Sequence, residues 1–555
     1  MELIKKPVNE TKAWKNLGDI RNQLKPDLKD WFASNAERGI SFSIATEHIF
    51  LDFSRQIITK DVFSSLMDLA AETQLRENIF GMFSGEKKNT TEQRAVLHTA
   101  LRNLSPNPIY IDGYDVMPEI RKVLAQIKDF SQKVQNGQWV GFTGTKLKNI
   151  IAVGIGGSYL GPEYLSEACK PYAVKDMKLL FVANVDPTDF TRKTQDLNPE
   201  ETLIVIISKT FTTAETMANA RAIKAWLTSA LGDNPDVIKK HFVAVSTSVE
   251  KVKEFGIDPE NMFIFWDWVG GRYSATSAVG GVPLSLYLGF DNFYKILEGA
   301  YWMDQHFFQE PIEKNIPILA GLLDIWNINF MDYKSRAIVP YSQAWSRYPA
   351  HCQQTEMESN GKSVDLFGRT VEFDTGEILL GEPGTNSQHS YFQLLHQGTE
   401  IVPVDFIGFI NPQYQENFVG GISLHQELMT NFFAQADALA FGKNGQLPHK
   451  TFTGNRPSNL ILLKDQDPFN AGILLALLEH RVAVKGFIWG INSFDQFGVE
   501  LGKELGVDIR ARINRYRQNP ADPTITEGLN HATTRLFRAF LEGSWSFKKV
   551  KNNDG

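Results

Sequence analysis

Between Gln353 and His389 the sequence brings together carboxylates, an imidazole, amides and an ammonium. The first part reads QQTEMESNGK (353–362), and the second reads GEPGTNSQH (381–389). Glycine and proline punctuate both parts, so we predict that these polar groups lie on tight turns at the ends of regular elements, as active-site groups often do. A carboxylate or an imidazole placed there could transfer protons. The alternative is a pair of ordinary solvated polar loops.

Two loops that follow apolar runs have the composition of ligand-binding loops. GIGGS (154–158) is similar to a dinucleotide-binding turn, but Tyr159 stands where the third glycine should be, so that match fails; its glycines still let backbone N–H groups approach a ligand. SKTFTT (208–213) opens a helical pattern, and its hydroxyls, lysine and helix-start N–H groups favour phosphate, with plain N-capping as the alternative. No segment has complete nucleoside-triphosphate spacing, so ATP is not predicted.

Two more segments carry cations. Arg272 follows two glycines in VGGRYS (269–274), where a guanidinium could reach an anion; a structural salt bridge is the alternative. Gln496 and Lys503 are seven residues apart, and they would share a face if the whole segment were helical. A solvated surface lysine is the alternative for Lys503.

Short apolar runs separated by helix-length segments are the elements that position these loops. Runs at 149–154, 178–183, 203–207 and 242–246 predict a parallel sheet buried on both faces, with binding loops at the carboxyl ends of its strands. A second group at 336–341, 400–407 and 459–463 predicts a second α/β unit. Residues 1–120 read as mostly helical, with short strands at 42–45 and 49–53, and are expected to pack with the second unit. Residues 90–98 resemble a capped helix start.

Length and composition exclude several classes of protein. A chain of 555 residues exceeds what one core usually supports, so at least two domains are expected. The net charge is −7 and no basic run suggests a nucleic-acid or membrane partner. Two cysteines, Cys169 and Cys352, argue against a disulfide framework and against a cysteine-rich zinc site. Residues 1–6 lack a secretory signal and the apolar stretch 471–478 is too short to span a bilayer, so we expect a cytoplasmic protein.

Four motifs resemble the phosphoglucose isomerase family of the sugar-isomerase (SIS) fold. They are GGRYS (270–274), MESNGK (357–362), GEPGTN (381–386) and NSFDQFGVELGK (492–503), and the resemblance runs from near the N-terminus to about residue 545. It implies an α/β protein with two α/β/α sandwich (SIS-type) domains, mainly parallel sheets, and N-terminal and C-terminal helical extensions. The implied boundaries are 120–286 for a smaller domain with the phosphate loop, 1–119 and 287–545 for a larger discontinuous domain with the base, and 546–555 for a disordered tail.

The resemblance also implies a reaction, the reversible isomerisation of glucose 6-phosphate to fructose 6-phosphate through ring opening and a cis-enediol. Glu358 would move a proton between C2 and C1, and Arg272 would steady the enediolate. His389 and Lys503 match the ring-opening groups, and in the family that histidine comes from the other subunit, which implies a homodimer with shared sites. The implied phosphate and sugar contacts are Ser208, Lys209, Thr210, Thr213, Gly157, Ser158, Gln354 and Gln496.

Chemistry supports these residue types but leaves alternatives open. An aldose–ketose shift needs a base that later acts as the acid, and a carboxylate can do both. From the residues alone Glu356 and Glu382 rival Glu358, and only the family motif favours Glu358. No cofactor is implied, and no two-histidine-plus-carboxylate spacing argues for a metal. The alternatives are a non-catalytic phosphosugar-binding regulator, an isomerase that also accepts mannose 6-phosphate, and a metal-dependent isomerase.

Overall fold

The computed structural model describes residues 6–416 and 420–545, so the tail predicted at 546–555 lies outside the described residues. The strands of the described part are β1 (Ser43–Ala45), β2 (Ile49–Asp52), β3 (Tyr110–Ile111), β4 (Tyr114–Asp115), β5 (Asn149–Val153), β6 (Lys178–Val182), β7 (Thr202–Ile207), β8 (Phe242–Val245), β9 (Met262–Phe263), β10 (Ser335–Pro340), β11 (Ile378–Gly381), β12 (Val404–Phe409) and β13 (Ser458–Leu463).

The helices of the described part are α1 (Lys12–Gln23), α2 (Leu28–Ser34), α3 (Arg38–Ser41), α4 (Lys60–Glu72), α5 (Leu75–Phe83), α6 (Met117–Gln135), α7 (Leu160–Ala168), α8 (Pro187–Thr194), α9 (Ala214–Leu231), α10 (Pro235–His241), α11 (Val249–Phe255), α12 (Ala278–Leu288), α13 (Phe290–Gln309), α14 (Ile316–Ile325), α15 (Tyr348–Asn360), α16 (Phe392–Gln397), α17 (Leu424–Phe441), α18 (Pro468–Trp489), α19 (Glu500–Gln518) and α20 (His531–Glu542). The chain divides into two compact units, Met1–Asp495 and Gln496–Gly555. The first unit holds every strand named above, and the second holds α19 and α20.

A five-stranded sheet in the first unit has the strand order β6-β5-β7-β8-β9, and every pair in it is parallel. All residues of β5, β7 and β8 are buried, which is why these strands read as unbroken apolar runs. The parallel sheet predicted from those runs is therefore confirmed. Because β5 and β7 are parallel neighbours, the loops that follow them (154–158 and 208–213) leave the same edge of the sheet.

A six-stranded sheet has the order β1-β2-β13-β12-β10-β11, with β10 to β13 parallel to one another. Strand β2 pairs antiparallel with β13, and β1 pairs antiparallel with β2. The N-terminal segment thus joins the second group of strands, as predicted, and the α/β fold class is confirmed. The domain boundaries at 119/120 and 286/287 stay predictions.

The capped helix predicted at residues 90–98 is wrong. Gln93 has a φ of 55°, in the left-handed region, and regular structure resumes only with a 3₁₀ turn at His98–Arg102. The Thr91 hydroxyl lies 2.7 Å from the Asp495 carboxylate instead of capping a helix. A contact with a residue some four hundred positions away therefore overrides the local capping pattern.

Helix α18 is buried along almost its whole length and packs against α13 and α14. Its burial explains the apolar stretch 471–478, and no described helix is long and apolar enough to cross a membrane. The helix also carries two cations into a buried charge cluster. The cluster consists of Asp324, Arg336, Glu356, Glu377, Asp405, Arg481 and Lys485.

Lys485 is the ammonium of this cluster, and its Nζ lies 2.9 Å from Asp324, 2.8 Å from Glu356 and 2.9 Å from Glu377. Burial opposes its charge, but the three carboxylates outweigh burial and raise the pKa of the ammonium. Because those carboxylates belong to α14, α15 and the segment before β11, the lysine joins three elements through charge.

Replacing Lys485 should destabilise the fold strongly. Lys485→Met keeps the length of the side chain but leaves buried carboxylates uncompensated, and we expect a loss of about 3–5 kcal/mol in the free energy of unfolding. Denaturant unfolding measures this loss. Lys133→Met is the matched control, because its pair with Asp129 is exposed at 2.7 Å and should contribute less than about 1 kcal/mol. Equal stability of the two variants would contradict the role given to the cluster.

Candidate active site

Glu358 lies in the last turn of α15, which ends at Asn360. The prediction that the polar groups of 353–362 lie on turns is therefore wrong for residues 353–360, which are helical. Gln354, one turn earlier, donates from Nε2 to Glu358 Oε2 at 2.9 Å. The Glu358 side chain keeps 23% of its surface exposed. A carboxylate that is oriented by an amide and still accessible is suited to act as a base.

The two rival carboxylates lie in different surroundings. Glu356 is fully buried, 2.8 Å from Lys485, and accepts from Asn360 at 3.0 Å. Burial raises the pKa of Glu356, although Lys485 opposes that shift. Glu382 follows β11 and is exposed. Of the three candidates, Glu358 is the one that lies beside a guanidinium.

That guanidinium belongs to Arg272, in the 3₁₀ turn Gly271–Tyr273. Its Nη1 lies 3.6 Å from Glu358 Oε1, and only 1% of the side chain is exposed. Its Nε donates to Ser359 Oγ at 2.6 Å, and its Nη2 donates to the carbonyls of Ser493 at 2.7 Å and Asp495 at 3.0 Å. A cation fixed in this way can stabilise negative charge that develops next to the carboxylate.

The glycine loop after β5 lies against this pair. A Cβ on Gly157 would come within 2.1 Å of the Gly271 carbonyl and 2.6 Å of the Arg272 amide nitrogen, so the backbones meet here at a distance only glycine allows. Gly156 has a φ of 59°, and a Cβ on it would lie 3.2 Å from Gln354 Nε2. Ser158, next in the loop, is half-buried. The loop forms a 3₁₀ turn, Gly156–Ser158, between β5 and α7.

Gln354 also presents an oxygen to this region. Its Oε1 is buried and has no hydrogen-bond partner among the described residues, while its Nε2 is engaged by Glu358. A buried acceptor without a partner is costly, and a ligand hydroxyl could satisfy it. The amide therefore has one end on the base and the other available to a substrate.

The loop at 208–213 has an arrangement that suits an anion. Thr213 is the N-cap residue of α9, but its side chain makes no capping hydrogen bond; its hydroxyl instead lies 3.3 Å from the Ser208 hydroxyl. Thr210 is exposed, with its hydroxyl 2.6 Å from that of Thr212. Plain N-capping by a side chain, the alternative for this loop, is thus absent from the described structure. The positive end of the α9 dipole lies next to two hydroxyls.

Lys209 links this loop to the segment that leads to Arg272. Its ammonium donates to the carbonyls of Asp267 at 2.9 Å and Val269 at 3.3 Å. Burial lowers the pKa of the ammonium, Arg94 adds to that shift, and Asp267 opposes it. The lysine therefore holds the 208–213 loop to the segment at 267–269.

His389 is the last residue of the 3₁₀ turn Asn386–His389 and is exposed. Its imidazole makes no hydrogen bond or ion pair with another described residue of its own chain. The structure of one chain thus brings Glu358, Arg272, Gln354 and Gly157 together but does not include His389 in that group.

Gln496 and Lys503 belong to the second unit. Helix α19 begins at Glu500, and Gln496 precedes a separate 3₁₀ turn, Phe497–Val499. The condition for a shared helical face is therefore not met, because of the two residues only Lys503 lies in the helix, where it is exposed.

Sequence reasoning missed the residues that hold the pair in place. Lys362 donates to the carbonyls of Glu358 at 3.1 Å and Asp495 at 2.9 Å, and its Nζ lies 3.1 Å from the Asp495 carboxylate. Ser359 accepts from Arg272. Both residues belong to the MESNGK motif (357–362), and that motif was the sequence signal from which they could have been found. Among the described residues, no group of three or more His, Cys, Asp and Glu side chains is arranged to hold a metal ion.

Comparison with known proteins places this α/β chain among the sugar-phosphate isomerases. A family model described as "Phosphoglucose isomerase" matches residues 52–529. "Glucose-6-phosphate isomerase, cytosolic" of Arabidopsis thaliana is 50% identical over 553 residues, covering 96% of this chain and 98% of that protein. "Glucose-6-phosphate isomerase, cytosolic 1A" of Clarkia lewisii is 50% identical over 554 residues, covering 97% and 96%.

Two solved structures extend the comparison to the fold. A glucose-6-phosphate isomerase from Chlamydia trachomatis superposes with a TM-score of 0.87 at 33% identity, covering 96% of this chain and 100% of that one. A hypothetical protein from Thermus thermophilus shares the fold, with a TM-score of 0.65 at 22% identity, covering 84% and 99%. The chain belongs to the phosphoglucose isomerase family.

Replacing Gly157 should disable the site while the protein stays folded. In Gly157→Ala the new methyl must displace the Gly271 carbonyl or the Arg272 backbone, and moving a catalytic group by about 1 Å can cost roughly 100-fold in rate. We expect that loss in isomerase activity in a folded protein whose thermal midpoint is lowered, because backbone atoms must shift to admit the methyl group. Gly18→Ala is the control, because a Cβ there meets nothing within 4 Å and activity should be unchanged. Full activity of Gly157→Ala would argue against the close approach of Gly157 to the backbone of Gly271 and Arg272.

Proposed function

We propose that the chain catalyses the reversible isomerisation of D-glucose 6-phosphate to D-fructose 6-phosphate, with Glu358 as the base. The observation that carries the assignment of the base is the Glu358 carboxylate 3.6 Å from the buried Arg272 guanidinium. Relatives at 50% identity over nearly the whole chain carry the name of this enzyme, which supports the substrate. The same names favour an isomerase over the non-catalytic regulator.

The proposed proton transfer uses one carboxylate twice. Glu358 takes the proton from C2 of the open-chain aldose, and the C–H electron pair forms the C1–C2 double bond while the carbonyl oxygen gains negative charge. A proton then passes from the C2 hydroxyl to the C1 oxygen, which leaves the negative charge on the C2 oxygen. That oxygen re-forms the C2 carbonyl while the electrons of the C1–C2 double bond take the proton from Glu358 at C1, and the carboxylate is regenerated. A positioned base of this kind contributes about 10²–10⁴-fold to the rate. Arg272 stabilises the enediolate charge, which is absent from the ground state.

The phosphate is remote from the reacting carbons and serves to hold the substrate. We assign it to the loop at 208–213, through Ser208, Lys209, Thr210, Thr213 and the start of α9. Its binding energy can keep the open chain in a reactive pose. The proposed contacts of the sugar are Gly157, Ser158, Gln354 and Gln496.

Ring opening requires proton exchange between a hydroxyl and the ring oxygen, and we assign it to His389 and Lys503. Histidine changes protonation near neutral pH, which suits this step. We further propose that the active protein is a homodimer in which His389 completes the site of the other subunit. Its exposure and its lack of a described partner within its own chain support this assignment.

The second unit supports a homodimer independently. Helix α19 has no buried residue, although Leu501 is 65% and Leu505 is 61% exposed. On α20, Leu536 is 73% and Phe540 is 69% exposed. Apolar side chains four residues apart share a helix face, and exposed apolar faces are typical of interfaces.

The domain organisation that we propose follows the two larger sheets. We propose a smaller domain at 120–286 that carries the phosphate loop and a larger one, 1–119 with 287–545, that carries the base. Each proposed domain contains one of the two larger sheets.

The cellular location that we propose is the cytoplasm. The cytosolic names of the plant relatives support the predicted cytoplasmic location.

The test of the function is NMR of the purified protein with fructose 6-phosphate, in EDTA and without nucleotide. We expect the wild type to form glucose 6-phosphate and Glu358→Gln to form none, because the amide cannot accept the C2 proton. Glu382→Gln is the control and should retain activity, since that carboxylate lies apart on an exposed loop. Absence of product with the wild type would reject a metal-free isomerase, and product from Glu358→Gln would assign the base elsewhere. Mannose 6-phosphate is followed in the same spectra.

A shared site predicts complementation between inactive variants. Dimers of Glu358→Gln and of His389→Ala should each be inactive, but subunit exchange should restore one complete site per mixed dimer. The regained activity should approach a quarter of the wild-type value if exchange is random, since half of the dimers are then mixed and each has one of two sites intact. Exchange verified by mass spectrometry without regained activity would show that His389 serves its own subunit.

A further inference from the structure

We infer that Asn360 is a positioning residue that keeps the Arg272 guanidinium beside Glu358, acting through Ser493. The inference deepens the proposed function and rests on it. Its starting point is that Arg272 Nη2 depends on two backbone carbonyls, those of Ser493 and Asp495, at 2.7 and 3.0 Å. The position of the Nη2 end of the guanidinium therefore depends on what fixes this short segment, while Ser359 holds the Nε end.

Asn360 fixes the segment at Ser493. The Ser493 hydroxyl donates to Asn360 Oδ1 at 2.6 Å. Asn360 Nδ2 donates in turn to Glu356 Oε1 at 3.0 Å and to the Val482 carbonyl at 3.2 Å. The asparagine has no exposed surface. It thus joins the Ser493 segment to the buried charge cluster, through a carboxylate that Lys485 holds at 2.8 Å.

A glycine on α18 makes this junction possible. A Cβ on Gly486 would lie 1.8 Å from Ser493 Oγ and 3.3 Å from Asn360 Oδ1. Glycine in the interior of a helix costs about 1 kcal/mol relative to alanine, so its presence here requires a gain in packing. The gain is the close approach of Ser493 and Asn360 to the helix.

The geometry couples the base to its cation. Asn360 follows Glu358 by two residues in the last turn of α15, so the carboxylate and the support of the guanidinium belong to one rigid element. Ser359, between them, accepts from Arg272 Nε at 2.6 Å. The Asn360 side chain reaches Arg272 through Ser493, and it acts on the reaction by holding the cation in place.

The test is kinetic and uses Asn360→Leu, which keeps the volume and removes every hydrogen bond of the side chain. We expect kcat to fall by about 100-fold with KM changed less than about 2-fold, because a displaced Arg272 fails in the transition state rather than in substrate binding. In an Arg272→Ala background, Asn360→Leu should lower kcat by no more than about 2-fold, since residues that act as a unit are not additive.

Asn315→Leu is the matched control. Asn315 is fully buried at the start of α14 and donates to the carbonyls of His306 at 3.1 Å and Phe307 at 2.8 Å. It should lower the thermal midpoint as much as Asn360→Leu does, while kcat stays within about 2-fold of the wild type. Should Asn360→Leu fail to fold, Ser493→Ala removes only the hydroxyl and should give a smaller loss of kcat that again disappears in the Arg272→Ala background.

The outcomes separate this inference from the proposed function. Loss of kcat by the same factor in both backgrounds would overturn the role of Asn360, because the residue would then act independently of Arg272. An increase in KM alone would also overturn it. A wild type that does not isomerise the sugar phosphate would instead overturn the proposed function, and this inference with it.

Discussion

A guanidinium buried beside a carboxylate must find acceptors for its remaining N–H groups, and this requirement organises the site. Arg272 meets it with a serine hydroxyl on α15 and with two carbonyls of the 493–495 segment. Segments near residues 272, 359 and 494 must therefore converge, although they are far apart in the chain. Because the group has lost most of its water, its field on Glu358 is stronger than that of an exposed pair would be. The same burial makes any displacement expensive, since an unsatisfied charged donor is costly.

Helix geometry explains how two nearby carboxylates have opposite roles. Residues two positions apart on a helix point in different directions, so Glu356 and Glu358 face different surroundings. Glu356 points into the charge cluster, where Lys485 and Asn360 bind it. Glu358 points toward Arg272 and keeps part of its surface exposed. One carboxylate therefore contributes to the support of the helix, and the other is left for chemistry.

The parts of the fold that the sequence predicted well are those that depend on local apolar patterns. The central strands of both larger sheets, such as β7 and β12, appear as apolar runs because they are buried, and their parallel pairing follows from the helices between them. Helix α15 was not predicted, because its buried face carries Thr355, Glu356, Ser359 and Asn360 instead of an apolar stripe. Ser359 and Asn360 are satisfied by partners more than eighty residues away, and such partners leave no local trace in the sequence.

The choice among three glutamates shows the corresponding limit for the site. The family motif favours Glu358, but nothing in the local sequence distinguishes it from Glu356, and the distinction depends on Lys485, a residue of α18.

For His389, the local sequence likewise does not distinguish a role in its own subunit from a role in a partner subunit. A histidine that works in catalysis is normally oriented by a hydrogen bond from its second ring nitrogen, and within its own chain His389 has none among the described residues. In the second unit, the 19-residue helix α19 has no buried residue, although helices usually depend on tertiary packing for their stability. The homodimer proposed above would bury the exposed apolar side chains of α19 and α20, and it would give the imidazole a partner.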